Sequence, residues 1–359
     1  MSEHDAAADA LAERLFGSLL GVMDLYSVYL GDRLGYYREL SRGRALSPPE
    51  LAESTSTHER YAREWLEQQA VTGLLEVDDH DAPPDERRYS LSPGHAEVLT
   101  DTDSLRFLAP AVRQLTAAGL QLPGILRAFR EGGGVPWADF GPEMREAQAL
   151  MNRPAFLGPI STELLPSVPE IRERLENGAR VADIGCGYGW SSIGLALAFP
   201  EIQVEGFDID EPSIDEARLN AEEAGVADRV GFHAVDAATA GMDGTFDIVA
   251  AFECIHDLPD PVAVLRSMRR LARDDGTVIV MDERVGETFH TPGDEVERLM
   301  YGFSLFVCLP DGMAHEMTAA TGTVMRPETL RSYARDAGFA DIEILPIEHD
   351  LFRFYLLKL

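Results

Sequence analysis

Three acidic residues and a glycine loop are the groups in this sequence best spaced for chemistry. The loop is Gly185-x-Gly187-x-Gly189, preceded by Asp183 and set between a short apolar run and a helical segment. Glycines at a strand-to-helix turn let backbone approach a nucleotide, although a bare tight turn would need them too. A carboxylate at Asp183 would repel a pyrophosphate and suits a ligand with an ammonium-bearing tail. The spacing also departs from the GxGxxG dinucleotide fingerprint. Asp208 closes the next apolar run, Val204 to Asp208, where an acid accepts from both hydroxyls of a ribose. That feature fits a dinucleotide equally well. Asp236 follows the third run in Phe232-His233-Ala234-Val235-Asp236-Ala237. Its carboxylate can accept from an adenine amino group while Ala237 offers a backbone N–H. One such aspartate alone reads as an exposed loop acid. Three at successive strand ends beside a glycine loop describe a nucleoside site.

The elements that must position these groups can be read from Ala179 onward. Short Val/Ile-rich runs, Arg180–Ile184, Gln203–Asp208, Val230–Ala234, Phe246–Phe252 and Thr277–Met281, alternate with helical segments. This predicts an α/β domain whose mostly parallel, doubly wound sheet carries helices on both faces. Ile342 to Pro346 and Phe352 to Leu357 flank a short acidic turn and read as an antiparallel pair at the sheet edge.

Residues 11 to 176 read as helical, with one wing. Leu15, Leu19, Val22, Leu25, Tyr26 and Tyr29 recur at helical spacing. Ser47-Pro48-Pro49-Glu50 opens a capped helix, and Thr57 starts another that runs to Val71. Leu74 to Val77 and Tyr89 to Leu91 form the strands of a hairpin. Helix, helix, hairpin is the order of a winged helix. The second helix offers Glu59, Arg60, Arg63, Glu64 and Glu67, too balanced for a DNA reader, so the module is read as packing and dimerisation. The predicted division is 1–176 for the winged-helix-like domain and 177–359 for the nucleoside-binding domain, with a lid insertion over about 285–327.

Val181 to Gly189, Gly206-Phe207-Asp208-Ile209-Asp210, Val235-Asp236-Ala237 and Phe246-Asp247-Ile248-Val249 resemble the successive motifs of class I methyltransferases that use S-adenosylmethionine. The N-terminal part resembles, more loosely, that of small-molecule methyltransferases with a winged-helix domain. The resemblance implies a seven-stranded sheet of order 3-2-1-4-5-7-6 with the final strand antiparallel. It implies S-adenosylmethionine contacts at Asp183, Gly185, Cys186, Gly187, Asp208, Ile209, Asp236 and Ala237, with Phe252 and Glu253 bordering the methyl donor. His256 is similar in placement to the histidine of plant-type O-methyltransferases that deprotonates a substrate hydroxyl, a role suited to a pKa near neutrality. Asp282 matches the acid that orients it. A structural histidine in this run is the alternative. The insertion carries Tyr301, Phe303 and Phe306, an aromatic lid that implies a small organic acceptor.

Composition bounds the partners. Net charge is 31 − 62 = −31, which disfavours nucleic acid and anionic membrane surfaces. No run approaches the roughly 18 apolar residues of a span, and Met1 to Asp9 lacks the basic start of a signal peptide, so a cytoplasmic chain is expected. The cysteines Cys186, Cys254 and Cys308 are far apart, form no CxxC pair and indicate no metal site. A homodimeric methyltransferase is the leading expectation. A cofactor-sensing winged-helix regulator without catalysis is the other, and a dehydrogenase is disfavoured by the loop.

Overall fold

The computed structural model describes residues 2–239 and 241–359. They form two compact units, residues 1–116 and 117–359.

In the first unit, the helix Glu3–Arg33 is followed by Tyr36–Leu40, Pro48–Thr55 and Glu59–Val71. Strands β1 (Glu76–Val77) and β2 (Tyr89–Ser90) then pair antiparallel as the wing. Ser47 caps the helix Pro48–Thr55 as expected, and Glu50 completes a reciprocal capping box with it. Tyr36, Tyr37, Leu51, Trp65, Leu66 and Tyr89 make the core of this unit.

The second unit holds β3 (Arg180–Ile184), β4 (Gln203–Asp208), β5 (Val230–Ala234), β6 (Phe246–Phe252), β7 (Ala272–Glu283), β8 (Asp341–Ile344) and β9 (Phe352–Lys358). Their order is β5-β4-β3-β6-β7-β9-β8, the expected 3-2-1-4-5-7-6. β9 runs antiparallel to both neighbours, and β3, β4, β5, β6 and β7 are mutually parallel.

Side-chain alternation along the strands feeds two cores. Val181, Val204, Ile248, Ile279 and Phe354 pack on one face, and Ala182, Val249, Val278, Val280 and Tyr355 on the other. In β6 a register shift between Phe246 and Ile248 sends Phe246 to the face of Val249 and Ala251.

Three boundaries depart from the sequence reading. β7 begins at Ala272, which pairs with Phe246, so the exposed residues 273–275 lie inside the strand although their composition is that of a turn. At its other end β7 extends through Asp282 and Glu283, paired with Arg353 and Phe352. Asp282 is thus a strand residue rather than one that follows the strand. The change in sequence texture near residue 177 also lies well inside the second unit. Phe156, Ile160 and Leu165 join the sheet's core, and a Cβ on Gly194 would meet the Phe156 carbonyl oxygen at 2.1 Å.

Candidate active site

The carboxyl ends of β3, β4 and β6 meet at the glycine loop. Gly185, Gly187 and Gly189 all have φ between 50° and 80°, a region that favours glycine. At Gly185 a side chain would also strike Cys254, at 2.8 Å from Sγ. Four of the loop's N–H groups are spent internally. Those of Gly185 and Cys186 donate to the Phe207 carbonyl, that of Gly187 to Asp208, and that of Gly189 to the Cys186 carbonyl. A pyrophosphate would find few donors here, which is the physical content of the departure from GxGxxG.

Asp208 is oriented from both sides. Oδ2 accepts from the Gly187 N–H at 2.9 Å and Oδ1 from the Asp210 N–H at 2.9 Å. Each oxygen keeps a lone pair for a hydroxyl donor. Burial holds its pKa above the usual carboxylate value. Ile209 beside it is 75% exposed, an apolar surface next to this carboxylate. Asp236 is exposed after β5, and Ala237, buried, starts the short helical turn Ala237–Thr239.

Asp183 departs from a simple open mouth. Its side chain is buried, and Oδ2 accepts from the hydroxyls of Ser191 at 2.5 Å and Ser192 at 2.6 Å. Oδ1 is buried with no partner, and burial pushes the pKa up to about 6. One oxygen is therefore fixed by the helix that follows the loop and the other is left for a donor. Cys186 points its side chain into the sheet core, so its part in the loop is played by backbone.

At the end of β6, Phe252 is buried edge-on to Phe156, with centroids 5.4 Å apart. Glu253 adopts φ +55°, a strained conformation for a side-chain-bearing residue. Its Oε2 lies 3.4 Å from both Gln148 Nε2 and Asn152 Nδ2, and its Oε1 is buried without a partner. Burial, with Glu283 adding, pushes its pKa up to about 8.

Beyond it lies His256, 2% exposed. Nδ1 is 2.9 Å from Asp282 Oδ1 and 3.0 Å from Glu283 Oε2, and Nε2 is 3.3 Å from Asp257 Oδ1. Burial opposes the imidazole's charge, but Asp257, Asp282 and Glu283 outweigh it and hold the pKa well above the usual histidine value. Burial raises the carboxyl of Asp257 and takes Glu283 to about 7.

Within residues 285–327, Glu295–Phe303 is helical and runs on through the π-helical Ser304–Cys308 to Leu309–Gly312. Phe303 packs on a cluster with Val135, Phe140 and Met144. Tyr301 and Phe306 are over a third exposed, and the Tyr301 hydroxyl accepts from Arg326 at 3.4 Å. The chain then returns to the histidine, the Gly322 N–H donating to the His256 carbonyl at 3.2 Å. Glu283, Asp257, Ser191, Ser192 and Gln148 escaped the sequence reading. Glu283 and Asp257 each adjoin a residue that was singled out, so adjacency was the available signal. Gln148 reaches the site only through tertiary packing.

The donor set fits an adenosyl cofactor with a cationic tail: acceptor carboxylates at Asp208 and Asp183, and a loop with four of its N–H groups already used. Comparison with known proteins agrees. Residues 175–309 match a family model described as "Methyltransferase domain", and residues 24–101 one described as "Rv2258c-like winged HTH domain". The ubiquinone biosynthesis O-methyltransferase of Ralstonia nicotianae is 30% identical over 174 residues, 48% of this chain and 68% of that one. The chain belongs to the class I S-adenosylmethionine-dependent methyltransferases.

The 27-O-demethylrifamycin SV methyltransferase of Amycolatopsis mediterranei is 38% identical to this methyltransferase over 109 residues, 30% of this chain and 40% of that one. Among solved structures, a mitomycin 7-O-methyltransferase superposes with a TM-score of 0.71 at 20% identity, covering 98% of this chain and 99% of that one. Human N-acetylserotonin methyltransferase, solved with S-adenosylmethionine, gives 0.68 at 17% identity, covering 97% of each. At such identities the likeness is one of fold. Among the described residues, no helix of the methyltransferase is long and apolar enough to cross a membrane.

Proposed function

We propose that this methyltransferase methylates a hydroxyl oxygen of a small organic acceptor, with His256 taking the hydroxyl proton. The observation that carries the reading is the framing of His256 by Asp282 and Glu283 on Nδ1, which turns Nε2 toward Asp257. When bound, S-adenosylmethionine supplies a methyl group already activated on its sulfonium, and transfer leaves S-adenosylhomocysteine. The chain's own residues supply alignment and a place for the proton. Asp208 would take the ribose hydroxyls, Asp183 Oδ1 the ammonium directly or through water, and Asp236 and Ala237 the adenine edge, with Ile209 beside it. Phe252 and Glu253 border the donor. His256, neutral with Nδ1–H held by Asp282, accepts the proton at Nε2 as the oxygen–methyl bond forms and the carbon–sulfur bond breaks. The three carboxylates then stabilise the imidazolium.

The aromatic lid, with Tyr301, Phe303 and Phe306, supports an organic acceptor, as do the O-methyltransferase names of the relatives. Exposed Leu15, Phe16, Leu19, Leu20 and Met23 on the helix Glu3–Arg33 support a homodimer that covers them. The winged helix favours a second reading, a cofactor-sensing regulator. Against it, Arg60 pairs with Glu64 at 2.5 Å and Arg63 with Asp85 at 2.9 Å, so two cations of the second helix are already neutralised.

The test is incubation with S-adenosylmethionine carrying a ¹³C methyl and an extract of small metabolites, read by NMR. Label in an O-methyl group is expected. Label only in N-methyl or C-methyl groups would remove the need for a hydroxyl base, and no transfer would favour the regulator.

A further inference from the structure

One face of the helix Trp137–Ala155 reaches both sides of the glycine loop. Arg145, Gln148 and Asn152 stand at i, i+3 and i+7 on it and so share a face. Arg145 forks onto Asp210, Nε to Oδ2 at 2.8 Å and Nη2 to Oδ1 at 2.7 Å, both side chains largely buried. Gln148 and Asn152 converge on Glu253. Asp210 follows β4 and Glu253 follows β6, and these strands flank β3. The helix therefore spans the carboxyl end of β3, above the loop that β3 feeds.

Asp210 links this face to the nucleoside site. Its N–H donates to Asp208 Oδ1, while its own Oδ2 accepts from the N–H of Ser213 at 3.1 Å and its hydroxyl at 2.6 Å, capping the helix Glu211–Glu223. A bidentate guanidinium–carboxylate pair fixes orientation as well as distance. The backbone of residues 208–210 is thereby held against the spanning helix.

We propose that Arg145 is a positioning residue for cofactor binding, acting through Asp210 to set the Asp208 carboxylate, while Gln148 and Asn152 fix the opposite rim at Glu253. This rests on the reading that Asp208 takes the ribose hydroxyls.

Calorimetric titration of S-adenosylmethionine into the full chain tests it, with Arg145→Met, Asp210→Asn and the double variant. Asparagine keeps an acceptor at the Oδ2 position, so the bonds to Ser213 survive, while the charge pair and the Nη2 arm of the bidentate link are lost. Each single substitution should weaken Kd about tenfold. The double should be no weaker than either, because both remove the same link. In turnover, KM for the cofactor should rise more than kcat falls. A single variant within about twofold of wild type, or a double whose losses multiply, overturns the proposal. Should Arg145→Met fail to fold, Asp210→Asn decides by the same criterion. Asp208→Ala in the same titration separates the two layers. Wild-type affinity in Asp208→Ala removes the ribose reading itself, whereas its loss alongside unchanged Arg145→Met removes only the role of Arg145.

Discussion

His256 and Asp282 lie side by side at the carboxyl edge of the sheet, Nδ1 to Oδ1 at 2.9 Å, with the aspartate fully buried on β7 and the histidine on the loop after β6. A carboxylate in that position fixes the tautomer and ring direction of the imidazole and favours its charged form.

The pH dependence of turnover follows. A base must be neutral to accept a proton, and the surrounding acids hold the His256 pKa above the usual value. The acidic limb of kcat/KM should therefore lie above about pH 6.5, the ordinary histidine range. Asp282→Asn removes one of three facing carboxylates and should move that limb to lower pH. His256→Gln should lower kcat by about 10²–10⁴. A pH–rate profile of the three proteins checks this, and a limb that stays fixed in Asp282→Asn contradicts it.

Asp183 links stability to binding in opposite directions. Its folded pKa, about 6, lies above the unfolded value of 3.8. The native state therefore binds that proton more tightly, and its favourable contribution, full below the unfolded pKa, is lost as pH rises through 6. At neutral pH the ionised, buried carboxylate weighs against the cofactor-free fold by on the order of 3 kcal/mol. Asp183→Asn should raise the melting temperature at neutral pH and weaken S-adenosylmethionine binding. Melting curves against pH, with and without cofactor, separate the effects. A destabilised apo variant would show that the Ser191 and Ser192 bonds need the charge.

Gly185→Ala should be destabilising by about 1–3 kcal/mol, from its positive φ and from the contact with Cys254. Adding Cys254→Ala should recover part of that loss in chemical denaturation, since it relieves the contact but not the backbone. No recovery would assign the whole effect to φ.

Phe16→Glu with Leu19→Glu should convert a dimer to monomers with little change in melting, because both side chains are at least half exposed in the single chain. Sedimentation velocity reads this directly. A wild-type monomer would leave the apolar stripe without its second copy.

Much of this was legible in the residues. The boundaries of β3, β4, β5 and β6 follow from compact Val/Ile runs closed by Asp, Gly or Glu. Asp208 and the loop follow from strand-to-helix punctuation, which is local information. β7 was truncated because residues 273–276 are charged and glycine-bearing, and only pairing with Phe246 keeps them in the strand. Asp183 read as an open acid, since nothing local says that the next helix aims two serines back at it. Glu283 went unnoticed because alternation places it opposite Asp282, and its approach to His256 Nδ1 at 3.0 Å is a tertiary contact. Arg145, Gln148 and Asn152 show a helical stripe, but its partners lie 65 to 105 residues away.

The most direct measurement is calorimetric titration of S-adenosylmethionine into the wild type and Asp208→Ala. Saturable binding by the wild type and a loss of about a hundredfold or more in the variant are expected, since two hydroxyl contacts to one charged acceptor disappear together. Equal affinity in the two proteins would contradict the placement of the adenosyl group along the carboxyl ends of β3, β4 and β5.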